Sequence, residues 1–110
     1  ELAESIYFMS RAQPNSAEWR LMAADMINTL QKRCRVKCGF AALKDVETGE
    51  HDERMDSFWL SETLKYLYLT FDDNNFVNQM PFTFNTEAHL IPFDFERYAK
   101  LRKPLNDLKS

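Results

Sequence analysis

The chain has 110 residues, of which 45% are apolar and 14% aromatic, too many for a disordered segment. Its formal net charge of −3 leaves no basic footprint for nucleic acid. The two glycines, Gly39 and Gly49, are too few for a dinucleotide-binding turn or a P-loop, which need several close glycines to approach phosphate.

Glu1 to Arg11 reads as a helix with Leu2, Ile6 and Met9 on one stripe. Glu1 and Glu4 lie three apart and share a face with Ser5 and Phe8. Two readings stand for this acidic pair. One is a solvated helix start, where the positive end of the dipole favours carboxylates. The other is a like-charged pair of the kind acid–base catalysis uses; on these residues alone the first is favoured. Gln13-Pro14-Asn15 breaks the helix, because proline cannot continue the ladder. Asn15 reads as the next N-cap, with Glu18 completing a capping-box pattern. Trp19, Met22, Ala23, Met26, Ile27 and Leu30 then recur at helical spacing to about Cys34, the strongest amphipathic pattern in the chain. The short connection predicts an antiparallel αα-hairpin.

Cys34 and Cys38 have no second pair nearby, which argues against zinc. They read as two buried thiols, the alternative being a disulfide to something outside the chain. Cys38 to Leu43 is a short apolar run, a candidate strand, and a turn signal follows at Thr48-Gly49. Arg54 and Asp56 are placed to pair at the start of a third helix. That helix is predicted from Asp56 or Ser57 to Phe71, with Leu60, Leu64, Leu67 and Phe71 as one stripe. Glu62 points the other way, among Phe58, Trp59, Tyr66 and Leu69, so the helix is apolar nearly all round and expected to be buried on both sides. A chain this short has too few partners to cover it. Nor is the segment a membrane span, since Ser61, Glu62, Thr63 and Lys65 interrupt it.

Glu62 has two readings as well. An ordinary pair with Lys65 is favoured on these residues alone. The alternative is a carboxylate that accepts from a ligand's hydroxyls while Phe58, one turn earlier, offers a ring face, a combination that suits sugars. Asp72-Asp73-Asn74-Asn75 stops the helix. Phe82 to Thr86 alternates and is β-like, ending near Pro92. Within Asn85-Thr86-Glu87-Ala88-His89, a threonine hydroxyl and carbonyl can both ligate a hard cation, with Glu87 helping directly or through water. The plainer reading is a strand end with a structural His89. Phe93 to Leu101 reads as a short terminal helix. The whole is mostly helical, with one or two short extended segments.

Three segments together carry a resemblance. Arg54-Met55-Asp56-Ser57-Phe58-Trp59-Leu60-Ser61-Glu62-Thr63-Leu64-Lys65-Tyr66-Leu67-Tyr68-Leu69 resembles a signature of glycoside hydrolase family 47, the α-1,2-mannosidases. Phe84-Asn85-Thr86-Glu87-Ala88-His89 is similar to the motif that ends that family's catalytic domain. Glu1-Leu2-Ala3-Glu4-Ser5 is similar to the tail of its Arg-Pro-Glu-x-x-Glu-Ser motif. Arg35-Val36-Lys37-Cys38-Gly39-Phe40-Ala41-Ala42 resembles the endoplasmic reticulum degradation-enhancing α-mannosidase-like branch. Trp59 stands where phenylalanine is more usual, Asp56 where glutamate is also common, and Leu90-Ile91-Pro92 replaces a Pro-Leu-Pro style ending; none removes a motif match.

The resemblance implies an all-α fold, part of an (α/α)7 barrel with a short β-hairpin plug near its C-terminal end. Residues 1–93 would be the C-terminal part of that barrel, and 94–110 a helix or linker beyond it. The absence of a starting methionine fits the closing arc of a larger catalytic domain. By motif, Glu1 matches the general base, and Glu4 a second acid of the sugar subsite. Phe58 matches the ring that stacks on mannose, and Glu62 a carboxylate around the sugar hydroxyls and the waters of a calcium ion. Thr86 matches the direct protein ligand of Ca2+, with Glu87 supporting the same shell. The implied activity is calcium-dependent, inverting removal of mannose from high-mannose N-glycans of misfolded glycoproteins, in the lumen of the endoplasmic reticulum. The general acid would lie upstream, so residues 1–110 alone are expected to be inactive. A cysteine like Cys38 would bond to one far upstream, often with a protein disulfide isomerase as partner. The rival reading is a mannosidase-like lectin that binds trimmed glycans without cleaving them.

Overall fold

The first helix, α1, spans Leu2–Ala12 and buries Ala3, Ile6 and Tyr7. This stripe is displaced from the expected one. Leu2 is 59% exposed, because the large Tyr7 ring draws the inward face round to itself. The coordinates are a computed structural model that describes residues 1–96. They divide into two compact units, Glu1–Asp73 and a second from Asn74 onward, each taken by itself below.

The connection after α1 is closed by local bonds. The Ser16 N–H donates to the Gln13 carbonyl at 3.0 Å, and the Trp19 indole N–H donates to the Gln13 side chain at 2.7 Å. The second helix, α2, spans Glu18–Arg33. Asn15 is not its cap. The Ala17 backbone is already helical and flanks the first residue, so Glu18 sits at the very start and the expected capping box does not form. Most of the inward face is as its periodicity indicates: Ala23 is fully buried, and Trp19, Met26, Ile27 and Leu30 are half-buried, whereas Met22, expected on the same stripe, is 41% exposed. Asp73 joins the two helices from outside, 2.5 Å from the Arg20 guanidinium and 3.8 Å from that of Arg11.

The apolar run after α2 makes two small ladders rather than one strand. β1 (Arg35–Val36) pairs antiparallel with β2 (Gly39–Phe40), and β3 (Ala42–Leu43) with β4 (His51–Asp52). Gly39 has φ +146, a backbone conformation that side chains rarely adopt, and a Cβ there would meet the Met55 sulfur at 3.2 Å, so the backbone favours glycine and the flexible methionine would have to give slightly. Between β3 and β4, the Asp45 carboxylate accepts from the backbone N–H groups of Glu47 at 2.7 Å and Thr48 at 3.1 Å. The Thr48 bond first, then that of Glu47, hold this carboxyl below the usual carboxylate range. The cysteines are not the buried pair expected: Cys34 is half-buried at the end of α2, and Cys38, in the two-residue turn between β1 and β2, is exposed.

The third helix departs most from expectation. Its first part, Trp59–Leu64, is π-helical, and only Lys65–Phe71, here α3, is α-helical. Tyr66, Leu67, Leu69 and Thr70 are buried, whereas Leu60, Leu64 and Phe71 are 57%, 42% and 44% exposed. An α-period stripe drawn back from Leu67 loses phase in the wider π turns. α3 packs on both α1 and α2. Its other side keeps large apolar side chains uncovered, as the all-round hydrophobicity foretold. Arg54 and Asp56 do pair, at 3.3 Å.

In the second unit, Asn75 caps a short helix α4 (Phe76–Gln79), its side-chain oxygen accepting from the Val77 N–H at 3.1 Å. That helix was not predicted, because four residues are too few to show a period. β5 (Phe82–Phe84) and β6 (Leu90–Pro92) pair antiparallel with Phe82 opposite Pro92 and Phe84 opposite Leu90. Phe76 and Phe82 meet edge to face at 5.8 Å. The helix expected at 93–101 lies largely outside the described residues.

Leu67 is 1% exposed at the contact of α3 with the rest of the first unit. Leu67→Ala should lower unfolding free energy by about 2–5 kcal/mol, read from chemical denaturation of the protein that contains this chain.

Candidate functional site

Four of the six residues singled out for chemistry lie in the first unit. Glu1 and Glu4 belong to the start of α1. Glu1 is exposed, its carbonyl accepting the Ser5 N–H at 2.9 Å and its side chain making no capping bond. Glu4, three residues on, is half-buried. Phe58 stands just before the π-helical turns with its ring 54% exposed, making no ring-to-ring contact among the described residues. Glu62 lies within those turns, half-buried.

The charges of Glu4 and Glu62 both act on Tyr66. That side chain is 2% exposed. Its ring centroid is 5.5 Å from that of Tyr7 and 6.1 Å from that of Phe8, both on α1. Burial, reinforced by the negative charges of Glu4 and Glu62, pushes the Tyr66 phenol up to about 12. Tyr7 is raised too, by burial, with Arg11 opposing. Tyr66 is therefore a neutral hydroxyl at any physiological pH, set in the field of two carboxylates. Periodicity had marked it only as one apolar neighbour of Glu62, because its partners on α1 are remote in sequence.

Phe58, Glu62 and Tyr66 follow one another at intervals of four. π-Helical turns run from each N–H to the carbonyl five residues back, and they recur at functional sites. Here such turns carry the Glu62 carboxylate and follow directly on the exposed Phe58.

Thr86 and Glu87 lie in the second unit, at the tip of the β5–β6 hairpin. Asn85 organises the turn: its side-chain oxygen accepts from the backbone N–H groups of Glu87 at 3.0 Å and His89 at 2.9 Å, and its own N–H donates to the His89 carbonyl at 3.1 Å. Ala88, fully buried, takes the left-handed conformation at φ +58 that closes it. Thr86 enters none of these bonds and is exposed. Its hydroxyl and carbonyl are two hard oxygens of the type that a cation such as calcium takes. Glu87 is exposed, 4.0 Å from the His89 ring nitrogen. Among the described residues no three His, Cys, Asp or Glu side chains cluster to hold a metal.

The sequence model of the family described as Glycosyl hydrolase family 47 matches residues 1–93. The "ER degradation-enhancing alpha-mannosidase-like protein 3" of Homo sapiens is 47% identical over 94 residues, which are 84% of this chain and 10% of that protein. The "Mannosyl-oligosaccharide 1,2-alpha-mannosidase MNS1" of Arabidopsis thaliana is 41% identical over 91 residues, 81% of this chain and 16% of that protein. An "ER degradation-enhancing alpha-mannosidase-like protein 1" of Saccharomyces cerevisiae is 42% identical over 91 residues, 81% of this chain and 11% of that protein. The chain spans only 10% to 16% of the length of these relatives.

The raised Tyr66 value sets a pH dependence with a definite sign. The neutral phenol is favoured by folding, so its contribution to stability is whole below the ordinary tyrosine value of 10 and is lost as pH rises towards about 12. Alkaline titration of tyrosinate absorbance should show one component near pH 12 that Tyr66→Phe removes.

Proposed function

Because the chain belongs to glycosyl hydrolase family 47, a family of glycosidases, we propose that the protein carrying it is an α-1,2-mannosidase acting on high-mannose N-glycans. Its branch would be the one that trims misfolded glycoproteins for degradation in the endoplasmic reticulum lumen. The names and identities of the relatives above support the branch. The observation that carries the chemistry is an exposed Phe58 residue just before the π-helical turns that hold the half-buried Glu62 carboxylate, whose charge acts on Tyr66 as does that of Glu4.

In this reading residues 1–93 form the closing part of an (α/α)7 barrel, with the β5–β6 hairpin as its plug and 94–110 leading on from it. The uncovered apolar side of the π-helical turns and α3 supports a larger surrounding structure. Each side chain has a role its chemistry suits. The Phe58 ring packs on the C–H face of a mannose. Glu4 and Glu62 accept hydrogen bonds from sugar hydroxyls, which strengthens the bonds because the acceptor is charged. Glu1, exposed and unbonded through its side chain, takes a proton from the attacking water. With an acid from upstream protonating the leaving oxygen, the reaction inverts the anomeric centre, which needs roughly 6.5–9.5 Å between the two carboxyls to admit that water. Thr86 would hold Ca2+ through hydroxyl and carbonyl, with Glu87 beside it. Bound there, the ion supplies hard-ion coordination for sugar and water oxygens. The exposed Cys38 thiol is the group that an upstream cysteine or a protein disulfide isomerase would engage.

Two experiments on the full-length protein test this. Glu1→Gln should lower turnover of a high-mannose glycan by about 10²–10⁴-fold while glycan affinity is retained; wild-type turnover would remove Glu1 from the chemistry. Thr86→Ala should weaken calcium binding, measured by calorimetry, by about tenfold or more. Unchanged affinity would place the ion elsewhere.

A further inference from the structure

Asn85 stands between β5 and Thr86 and has no part in the roles assigned above. Its side chain is committed to the hairpin tip. The Oδ1 oxygen accepts the Glu87 N–H at 3.0 Å and the His89 N–H at 2.9 Å. An amide oxygen has two lone pairs, so both are used. With the oxygen turned onto these groups, the amide nitrogen faces the His89 ring Nδ1 at 3.4 Å. The backbone closes the same turn: the Ala88 N–H donates to the Asn85 carbonyl at 3.0 Å, and the Asn85 N–H to the His89 carbonyl at 3.1 Å.

The bond to Glu87 acts on Thr86. The Glu87 N–H and the Thr86 carbonyl belong to one peptide unit. In a planar trans unit the N–H and the C=O point in opposite directions. An N–H drawn onto Asn85 therefore turns the Thr86 carbonyl away from the Asn85 side chain. The Thr86 hydroxyl hangs from the same residue, on a β-branched side chain with few χ1 rotamers. Once the peptide plane is fixed, the two oxygens keep a narrow range of mutual positions. Two oxygens of one residue hold a hard cation together only when both face it.

We propose that Asn85 is a positioning residue of the calcium site: by taking the Glu87 N–H on its side-chain oxygen it aims the Thr86 carbonyl, and so presents that carbonyl and the Thr86 hydroxyl together to the ion. The inference rests on the assignment of Thr86 to calcium. With both lone pairs of its oxygen taken, Asn85 is not itself a ligand and acts through the peptide that follows Thr86.

The test uses the full-length protein with calcium alone as probe. Affinity is read by calorimetry, and melting temperature is read in calcium and in chelator. Asn85→Ala removes the acceptor and should weaken calcium binding about 10–100-fold, the range for losing a group that orients a metal ligand. Asn85→Asp keeps an acceptor in the same place and should restore binding, or tighten it through the added charge. The melting temperatures separate positioning from a merely structural turn. Calcium raises the melting temperature by mass action, and that rise should shrink in Asn85→Ala. A lower melting temperature with the full calcium-induced rise would overturn the proposal. So would wild-type affinity in Asn85→Ala, or an Asn85→Asp as weak as Asn85→Ala. Should Asn85→Ala fail to fold, Asn85→Gln keeps the amide but sets its oxygen one bond further from the backbone. It should weaken calcium binding as well, and wild-type affinity there would overturn the proposal. Thr86→Ala separates this inference from the reading beneath it. Undiminished affinity in Thr86→Ala, or no calcium binding by the wild type, would defeat the Thr86 assignment and the proposal together. A weakened Thr86→Ala beside an unaffected Asn85→Ala would defeat the role of Asn85 alone.

Discussion

The contact of the Tyr66 ring with Tyr7 is the constraint on which the first unit depends. It lies where α3 meets α1, and the buried residues of both elements, Ala3, Ile6, Leu67, Leu69 and Thr70, flank it in sequence. Burying a tyrosine ring is among the larger single contributions to a core of this size. Because the ring belongs to the segment that also carries Glu62, and its partners belong to the helix that carries Glu4, the same contact organises charge. Stability and electrostatics therefore meet at one side chain.

The rest of the first unit is arranged around that seam. α2 supports it through the fully buried Ala23, whose small side chain permits close approach. Asp73 ties the outer faces of α1 and α2 through Arg20 and Arg11, all of them well exposed, so the pairing contributes little to stability. The two small ladders after α2 return the chain to the π-helical turns, where Phe40 stacks against Trp59 at 4.6 Å. The carboxylates and the exposed Phe58 ring sit at the edge of this packing. On the proposed reading, that position would suit a polyhydroxylated ligand: firm enough to orient acceptors, open enough to admit the sugar.

The second unit solves a different problem. A hairpin tip must satisfy its own backbone groups, and Asn85 does so with one side-chain oxygen that takes two N–H groups. Ala88 accepts the left-handed conformation usually left to glycine or asparagine. With the turn closed by its neighbours, Thr86 is left with hydroxyl and carbonyl uncommitted. On the proposed reading, hard-cation chemistry at that residue would follow from how the turn is closed, more than from any cluster of acidic groups.

Much of this was readable from residue order. The proline break after α1, the face of α2, the turn at Gly49, the stop at Asp72 and the β5–β6 hairpin each depend on local backbone preference or on a period within one element, and such terms act between near neighbours in sequence. The motifs of Glu1, Glu4, Phe58, Glu62, Thr86 and Glu87 were legible for the same reason, being short and contiguous. Three features were not. The buried stripe of α1 turned on which face met a tyrosine from another helix. The π-helical winding of Trp59–Leu64 leaves no mark in composition, since the same side chains suit an α-helix. The burial of Tyr66 against α1 arises only when residues some sixty positions apart share one ring contact. Sequence by itself determined the elements, their breaks and the chemical groups on offer. Tertiary structure alone decided which of those groups share an environment, because burial and electrostatic fields depend on distance in space and not along the chain.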